Sequence, residues 1–211
     1  RTIINYFLNN NYEALSKTNK IDISNSILGL DDNRFFDIQA LCHEAAKHHD
    51  YYVFEIIETS NCFSNFSIEE KFDYYKWNST GFSVYNNSQR CVDYLLKAIN
   101  HAQLNNRDDL NWHYHGTEAT AKTHNWFWVA YYYEFELSDK ANALKYLEIN
   151  LSATRDYYGE NSINYYNELK SLSQKYDSWH NNIEKVAQYN RIEVNVAKSI
   201  FGINSEEYVN S

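Results

Sequence analysis

The sequence predicts an all-α solenoid of antiparallel helix pairs, about ten helices in 211 residues. Three observations carry that expectation. Gly116, Gly159 and Gly202 recur at intervals of 43 residues. Glycine fits just past a helix end because it takes positive φ without penalty, and the last two close helix-like, aromatic-ended runs, Ala141 to Tyr158 and Ile183 to Phe201. Trp126, Val129, Ala130 and Tyr133 share their spacing with Leu169, Leu172, Ser173 and Tyr176, again 43 residues on. The third member of each set is small, as two closely packed helices require. A two-helix unit cannot bury both its faces alone, so such units stack, and at least three are needed.

That four-position spacing resembles the helix-A pattern of the tetratricopeptide repeat family, W-x2-L-G-x2-Y. The resemblance implies a right-handed superhelix of helix pairs, A and B. At the start of the chain, Asn10-Asn11-Tyr12-Glu13-Ala14-Leu15 resembles the family's entry to helix B, in an incomplete repeat at 1–29 that Gly29 ends. Ile38, Leu41, Cys42 and Ala45 match helix A of a repeat at 30–65, and His49-Asp50-Tyr51 resembles the turn into its helix B. There Phe54 stands where the family has a small residue. Tyr74, Trp77, Asn78 and Gly81 match helix A of a repeat at 66–106, with Cys91, Leu95 and Ala98 on helix B. The Trp126 set belongs to a repeat at 117–159, with Ala143, Leu147 and Asn150 on helix B, and the Leu169 set to one at 160–202. Residues 203–211 read as the start of a further helix A.

Helix-A starts therefore fall at 38, 74, 126 and 169, and the helix-B marks at 54, 91, 143 and 186. The two series drift together, as variable loops in a true repeat would make them. The linkers Tyr158-Gly159-Glu160-Asn161-Ser162 and Phe201-Gly202-Ile203-Asn204-Ser205 are similar to those of kinesin-light-chain-like long repeats, without the His-Pro. Residues 1–211 are expected to form a single array. The extra sequence from Gln103 to His115, with its polar break at Asn105 to Asp109, is read as a longer loop in preference to a boundary between subarrays.

Composition narrows the function. Hydrophobic residues make up 44% and charged residues 22%, enough apolar content to bury a core. Proline and methionine are absent, so helices must end at glycine, at asparagine or by packing. A chain that opens with Arg1 is expected of a fragment or a processed protein. Twenty tyrosines favour an interior or groove of aromatic rings with polar tips. The net charge of −9 repels phosphate, and the 19 basic residues form no run, so neither nucleic acid nor a membrane surface is an expected partner. No apolar stretch approaches the ~20 residues that span a bilayer, and no signal peptide is visible, which leaves the cytoplasm as the expected location. Cys42, Cys62 and Cys91 are odd in number and form no CxxC pair, so buried thiols are expected in place of disulfides or zinc. Sequons at Asn65, Asn78, Asn86 and Asn150 arise readily in an asparagine-rich chain.

The expected function is non-catalytic: a scaffold for a protein or peptide, standing alone or as the sensing part of a larger regulator. The resemblance implies a concave surface lined by helix A. It places there His124, Phe127, Tyr131 and Glu134 of the 126 repeat, and Asn167, Lys170, Gln174 and Asp177 of the 169 repeat. From the 74 repeat it takes Phe72, Tyr75, Ser79 and Phe82, and from the 38 repeat Phe36, Gln39, His43 and Ala46. This set is aromatic and polar, suited to a peptide held by stacking and amide hydrogen bonds. Lys170 is its one basic residue beside the histidines, which argues against a clamp for a free C-terminal carboxylate. Self-association through open array ends is a further expectation.

Three constellations raise chemistry. His43-Glu44 with His48 and His49 has one residue too many for H-E-x-x-H, because His43 and His48 diverge by about 140° around a helix. Arg107 and His113 resemble the R-x4–6-H motif of the HEPN ribonucleases, whose arginine and histidine act on RNA. The flank Asp108-Asp109 opposes phosphate, and the ordinary reading is a polar loop. His113, His115, Glu118 and His124 are conceivable ligands, but they are spread over a loop and a distant helix. No cofactor or metal is expected: five glycines offer little for a nucleotide cradle.

Overall fold

A computed structural model describes residues 12–14, 16–29, 35–107, 110, 121–180 and 182–209. They fall into two compact units, Arg1–Leu110 and Asn111–Ser211. Among the described residues every regular element is helical, as an all-α chain of paired helices requires.

The first unit begins with a 3-10 turn, Tyr12–Ala14, and α1, Lys17–Gly29. There follow α2 (Phe35–Lys47), α3 (Tyr52–Glu58), the single turn α4 (Asn61–Ser64), α5 (Ile68–Val84) and α6 (Ser88–Leu104). Short turns make α2 and α3, and α5 and α6, packed antiparallel pairs, and α5 also packs on α2. In this proline-free chain His49, Asn86 and Asn106 take positive φ to end α2, α5 and α6, the geometry with which a left-handed residue stops a helix. Ser67 opens α5 with a capping box, exchanging backbone-to-side-chain bonds with Glu70. Ile38, Leu41, Cys42 and Ala45 all point into the core. Phe54 is accommodated there because it packs between two rings, 4.9 Å from Phe82 and 5.8 Å from Tyr94.

The 66–106 repeat runs one residue later than the spacing suggested. Trp77 is 57% exposed, whereas Asn78, Ser79 and Phe82 are buried. The helix-A pattern is therefore Tyr75, Asn78, Ser79 and Phe82. Ser79 confirms it: its hydroxyl donates to the Cys91 carbonyl at 2.8 Å, so the small residue of helix A faces the small residue of helix B.

The second unit holds α7 (Ala121–Tyr131), which continues as a π-helical segment, Tyr132–Glu136. Then come α8 (Lys140–Tyr158), α9 (Ile163–His180), α10 (Ile183–Phe201) and the single turn α11 (Glu206–Val209). α8 packs on α7, α9 on α8, and α10 on α9. The 43-residue period recurs at the level of hydrogen bonds. Asp139 and Asn182 cap α8 and α10 by accepting from Asn142 N and Lys185 N at 3.0 and 3.1 Å. Ser162 and Ser205 do the same for Tyr165 N and Tyr208 N, at 3.2 and 3.1 Å. Ala130, Leu147, Leu151, Leu169, Leu172 and Tyr176 share one core.

Gly159 and Gly202 close α8 and α10 at φ 88° ψ 159° and φ 86° ψ 163°. That region is essentially closed to residues with a Cβ. A Cβ at either position would meet nothing within 4 Å, so the cost of one is purely conformational. Gly159→Ala is expected to destabilise the protein by about 1–3 kcal/mol in urea unfolding. An unchanged midpoint would mean that the linker takes another conformation.

Candidate partner-binding surface

The helix-A face of the second unit carries a continuous run of rings. Phe127 is 41% exposed and Phe135 60% exposed, with Trp128 and Tyr131 half-buried between them. Ring centroids lie 5.9 Å apart from Phe127 to Trp128, 5.2 Å from Trp128 to Tyr131, and 4.8 Å from Tyr131 to Phe135. The π-helical turn underlies the end of this run: Leu137 N donates five residues back to the Tyr132 carbonyl at 3.0 Å. Such a turn is rare in helices and recurs at functional sites.

α9 supplies the neighbouring polar strip. Asn167, Lys170, Gln174 and Asp177 are all exposed, because Leu169, Leu172, Ser173 and Tyr176 take the opposite, buried face. Glu134 is engaged in a bridge within the unit: Lys175 Nζ donates to both its oxygens, at 2.6 and 2.7 Å. The same ammonium lies 4.4 Å from the centre of the Trp179 ring. The pair ties the π-helical segment to α9. The side chain of His124 lies outside the described residues.

In the first unit the expected residues are placed differently. Phe72, Ser79 and Phe82 are buried and offer no surface. Tyr75 is half-buried against Phe63, Tyr94 and His101. The cause is the one-residue register shift, which turns these positions inward and Trp77, Thr80 and Val84 outward. Those residues face Gln39, His43 and Ala46 of α2 across a groove of about 230 Å³, floored by Cys42, Asn78 and Gly81. The three α2 positions were expected on this face; Trp77 and Val84 were not. The side chain of Phe36 lies outside the described residues.

The chemical alternatives find little support. Arg107 forms an ion pair with Glu69, and its hydrogen bond holds the Glu69 carboxyl below the usual range. His113 lies outside the described residues, as do His115 and Glu118. His43 bonds to the Tyr85 phenol at 2.9 Å, His49 to Tyr51 at 2.7 Å, and His48 lies 3.6 Å from Glu44, so the three histidines serve separate partners. Among the described residues no group of three His, Cys, Asp or Glu side chains is placed to hold a metal ion. Cys42 and Cys91 are buried thiols, and Cys62 is half-buried. No described helix is long and apolar enough to cross a membrane.

No protein-family model and no curated protein matches the chain. Among solved structures, BtubC (BKLC) from P. vanneervenii is similar over 90% of this chain and 74% of that one, at 10% sequence identity and a TM-score of 0.45.

Proposed function

We propose that this chain is a non-catalytic protein- or peptide-binding module of tetratricopeptide type, which holds its ligand on the helix-A face. The observation that carries this reading is the exposed aromatic run Phe127, Trp128, Tyr131 and Phe135 beside the polar strip of α9. Rings exposed in a contiguous patch lose water on contact and are common anchors of binding energy. The exposed amides and charges of Asn167, Gln174, Lys170 and Asp177 supply the orienting hydrogen bonds. A single array over 1–211, and a place in the cytoplasm as part of a larger regulator, belong to the same proposal. Arg107 is held by Glu69, which argues against the ribonuclease reading.

The test is a pull-down from the source organism's lysate, comparing the parent with the Phe127→Ala, Tyr131→Ala double variant. Both side chains are partly exposed, so the variant is expected to keep its helicity and to lose no more than about 1 kcal/mol of stability. A partner held by the parent and released by the variant supports the reading. Equal capture by both would remove the aromatic run from the site. Cleavage of RNA by the purified chain, lost on Arg107→Ala, would replace the scaffold reading altogether.

A further inference from the structure

The chain joins its elements repeatedly with one device: a lysine ammonium shared by a carboxylate of another element and an aromatic ring. Lys20 lies 2.6 Å from Asp50 and 4.5 Å from the centre of the Tyr12 ring. Lys97 lies 2.7 Å from Glu58 and 4.3 Å from the Tyr94 ring. In the second unit Lys175 serves Glu134 and Trp179 in the same way, at 2.6 and 4.4 Å. Lys185 stands 2.6 Å from Glu148 and 5.6 Å from the rings of both Tyr176 and Tyr189. The combination has a physical basis. A ring face attracts a cation, and a carboxylate within reach of the same cation adds a charge-assisted hydrogen bond.

At the end of the exposed aromatic run the same parts occur without the cation. The Tyr131 and Phe135 rings lie 4.8 Å apart, and Phe135 is 60% exposed. Glu136 is exposed next to them in the π-helical segment. A π turn closes on the fifth residue, so Glu136 stands one such turn on from Tyr131. Among the described residues Glu136 makes no ion pair, and no cation lies over Tyr131 or Phe135.

We propose that this end of the run binds a basic peptide of a partner protein, taking a lysine ammonium between the Glu136 carboxylate and the Tyr131 and Phe135 rings. The inference rests on the reading of the aromatic run as the binding surface and names the chemistry of its partner. Two observations identify the occupant. The first is charge: rings and carboxylate both attract a cation, and a chain of net charge −9 draws a basic segment toward it. The second is precedent within the chain. In all four complete sets the cation is a lysine, and its carboxylate comes from a different element. In the incomplete set rings and carboxylate share one segment, so the ammonium must arrive from outside it. The lysine stem would cover ring surface that is otherwise in water.

The probe is a labelled peptide of alternating lysine and valine, titrated with the full chain by fluorescence anisotropy. Salt at about 0.15 M screens long-range attraction. Glu136→Gln is expected to weaken binding about fivefold. Glu160→Gln removes an exposed carboxylate from the linker between α8 and α9 and should leave binding unchanged. Both side chains are exposed, so both variants should keep the parent's helicity. A peptide with glutamine in place of lysine should not bind. The proposal is overturned if the lysine peptide does not bind at about 1 mM, if the glutamine peptide binds equally, or if Glu136→Gln weakens binding no more than Glu160→Gln does. It is also overturned if the chain alone self-associates and Glu136→Gln abolishes that, for a second copy is then the occupant. A lysate partner released by Phe127→Ala, Tyr131→Ala but retained by Glu136→Gln would overturn the lysine site alone and leave the aromatic run as the surface.

Discussion

Phe82→Ala is expected to destabilise the first unit by about 3–5 kcal/mol, the range for removing a buried aromatic ring from a core. Phe82 is fully buried and lies 4.9 Å from the Phe54 ring, 5.2 Å from Tyr94 and 6.0 Å from Tyr51. The alanine leaves a cavity among three rings, two of which are held by hydrogen bonds. Tyr94 donates to Glu58 at 2.5 Å, Lys97 to the same carboxylate at 2.7 Å, and Asn87 Nδ2 to the Tyr51 phenol at 2.6 Å. These bonds oppose collapse of the walls, which places the cost toward the upper end. Since a domain is stable by only about 5–15 kcal/mol, the loss is a large share of the total. Urea unfolding followed by circular dichroism measures it, with Trp77→Ala as the comparison. Trp77 is mostly in solvent and should cost no more than about 1 kcal/mol. Similar losses for the two would return Phe82 to the surface and undo the register.

That contrast shows where the sequence was legible and where it was not. In the second unit the 43-residue period recurs in the described residues, whereas Gly116 lies outside them. Gly159 and Gly202 take the same conformation, Leu169, Leu172, Ser173 and Tyr176 are buried, and the four positions expected to be exposed on α9 are exposed. Register there is fixed by backbone requirements such as positive φ, which few residues satisfy. Between 66 and 106 positive φ falls on Asn86 and Asn106 and not on a glycine, so the sequence carries no such mark. Tyr74 and Tyr75 are neighbours of the same type, and both touch the core. A tryptophan at 77 looks like a core residue, but the helix turns it outward. Asn86, with no glycine in sight, performs the helix stop that would have marked the phase.

Pairing was less legible still. Glu134 was expected on the binding face, but it is taken up by Lys175, 41 residues away. The aromatic content around 126–136 shows that rings are plentiful without showing which are exposed. The π-helical turn that underlies the far end of the run, at Phe135, has no separate mark in the composition.

Removing the Glu148 carboxylate should have the second largest effect. Three donors converge on its Oε1: the Tyr176 phenol at 2.9 Å, Lys185 Nζ at 2.6 Å and the Tyr189 phenol at 2.7 Å. They join α8, α9 and α10. Burial raises the carboxyl pKa, but the bonds from Lys185, Tyr189 and Tyr176 outweigh it, so the group titrates below its ordinary value of 4.5. The neighbours respond in kind: burial and then the bond to Glu148 push the Tyr176 phenol up to about 12. Hydrogen bonds to a charged acceptor contribute about 1.5–3 kcal/mol each. Their sum is discounted because a third of this side chain is in water and the lysine is similarly exposed. Glu148→Ala, which leaves the buried Tyr189 hydroxyl without its acceptor, is expected to cost about 2–3 kcal/mol at neutral pH.

The sign with pH follows from the lowered value. The folded state favours the carboxylate, so its contribution is complete above pH 4.5 and is lost as pH falls through the lower folded-state value. Burial acts in the other direction on Glu168 and Glu193, raising both. Their penalty at neutral pH is relieved as they gain protons, which masks part of the acid loss in the parent protein. Both groups are present in parent and variant, so the difference between the two isolates Glu148. Urea midpoints of parent and Glu148→Gln should differ by about 1 kcal/mol or less near neutrality, because the amide keeps an acceptor for the phenols and loses only the charge facing Lys185. The two curves should then converge below pH 4.5. A difference that stayed constant into acid would mean that packing at position 148, and not the charge, joins the three helices.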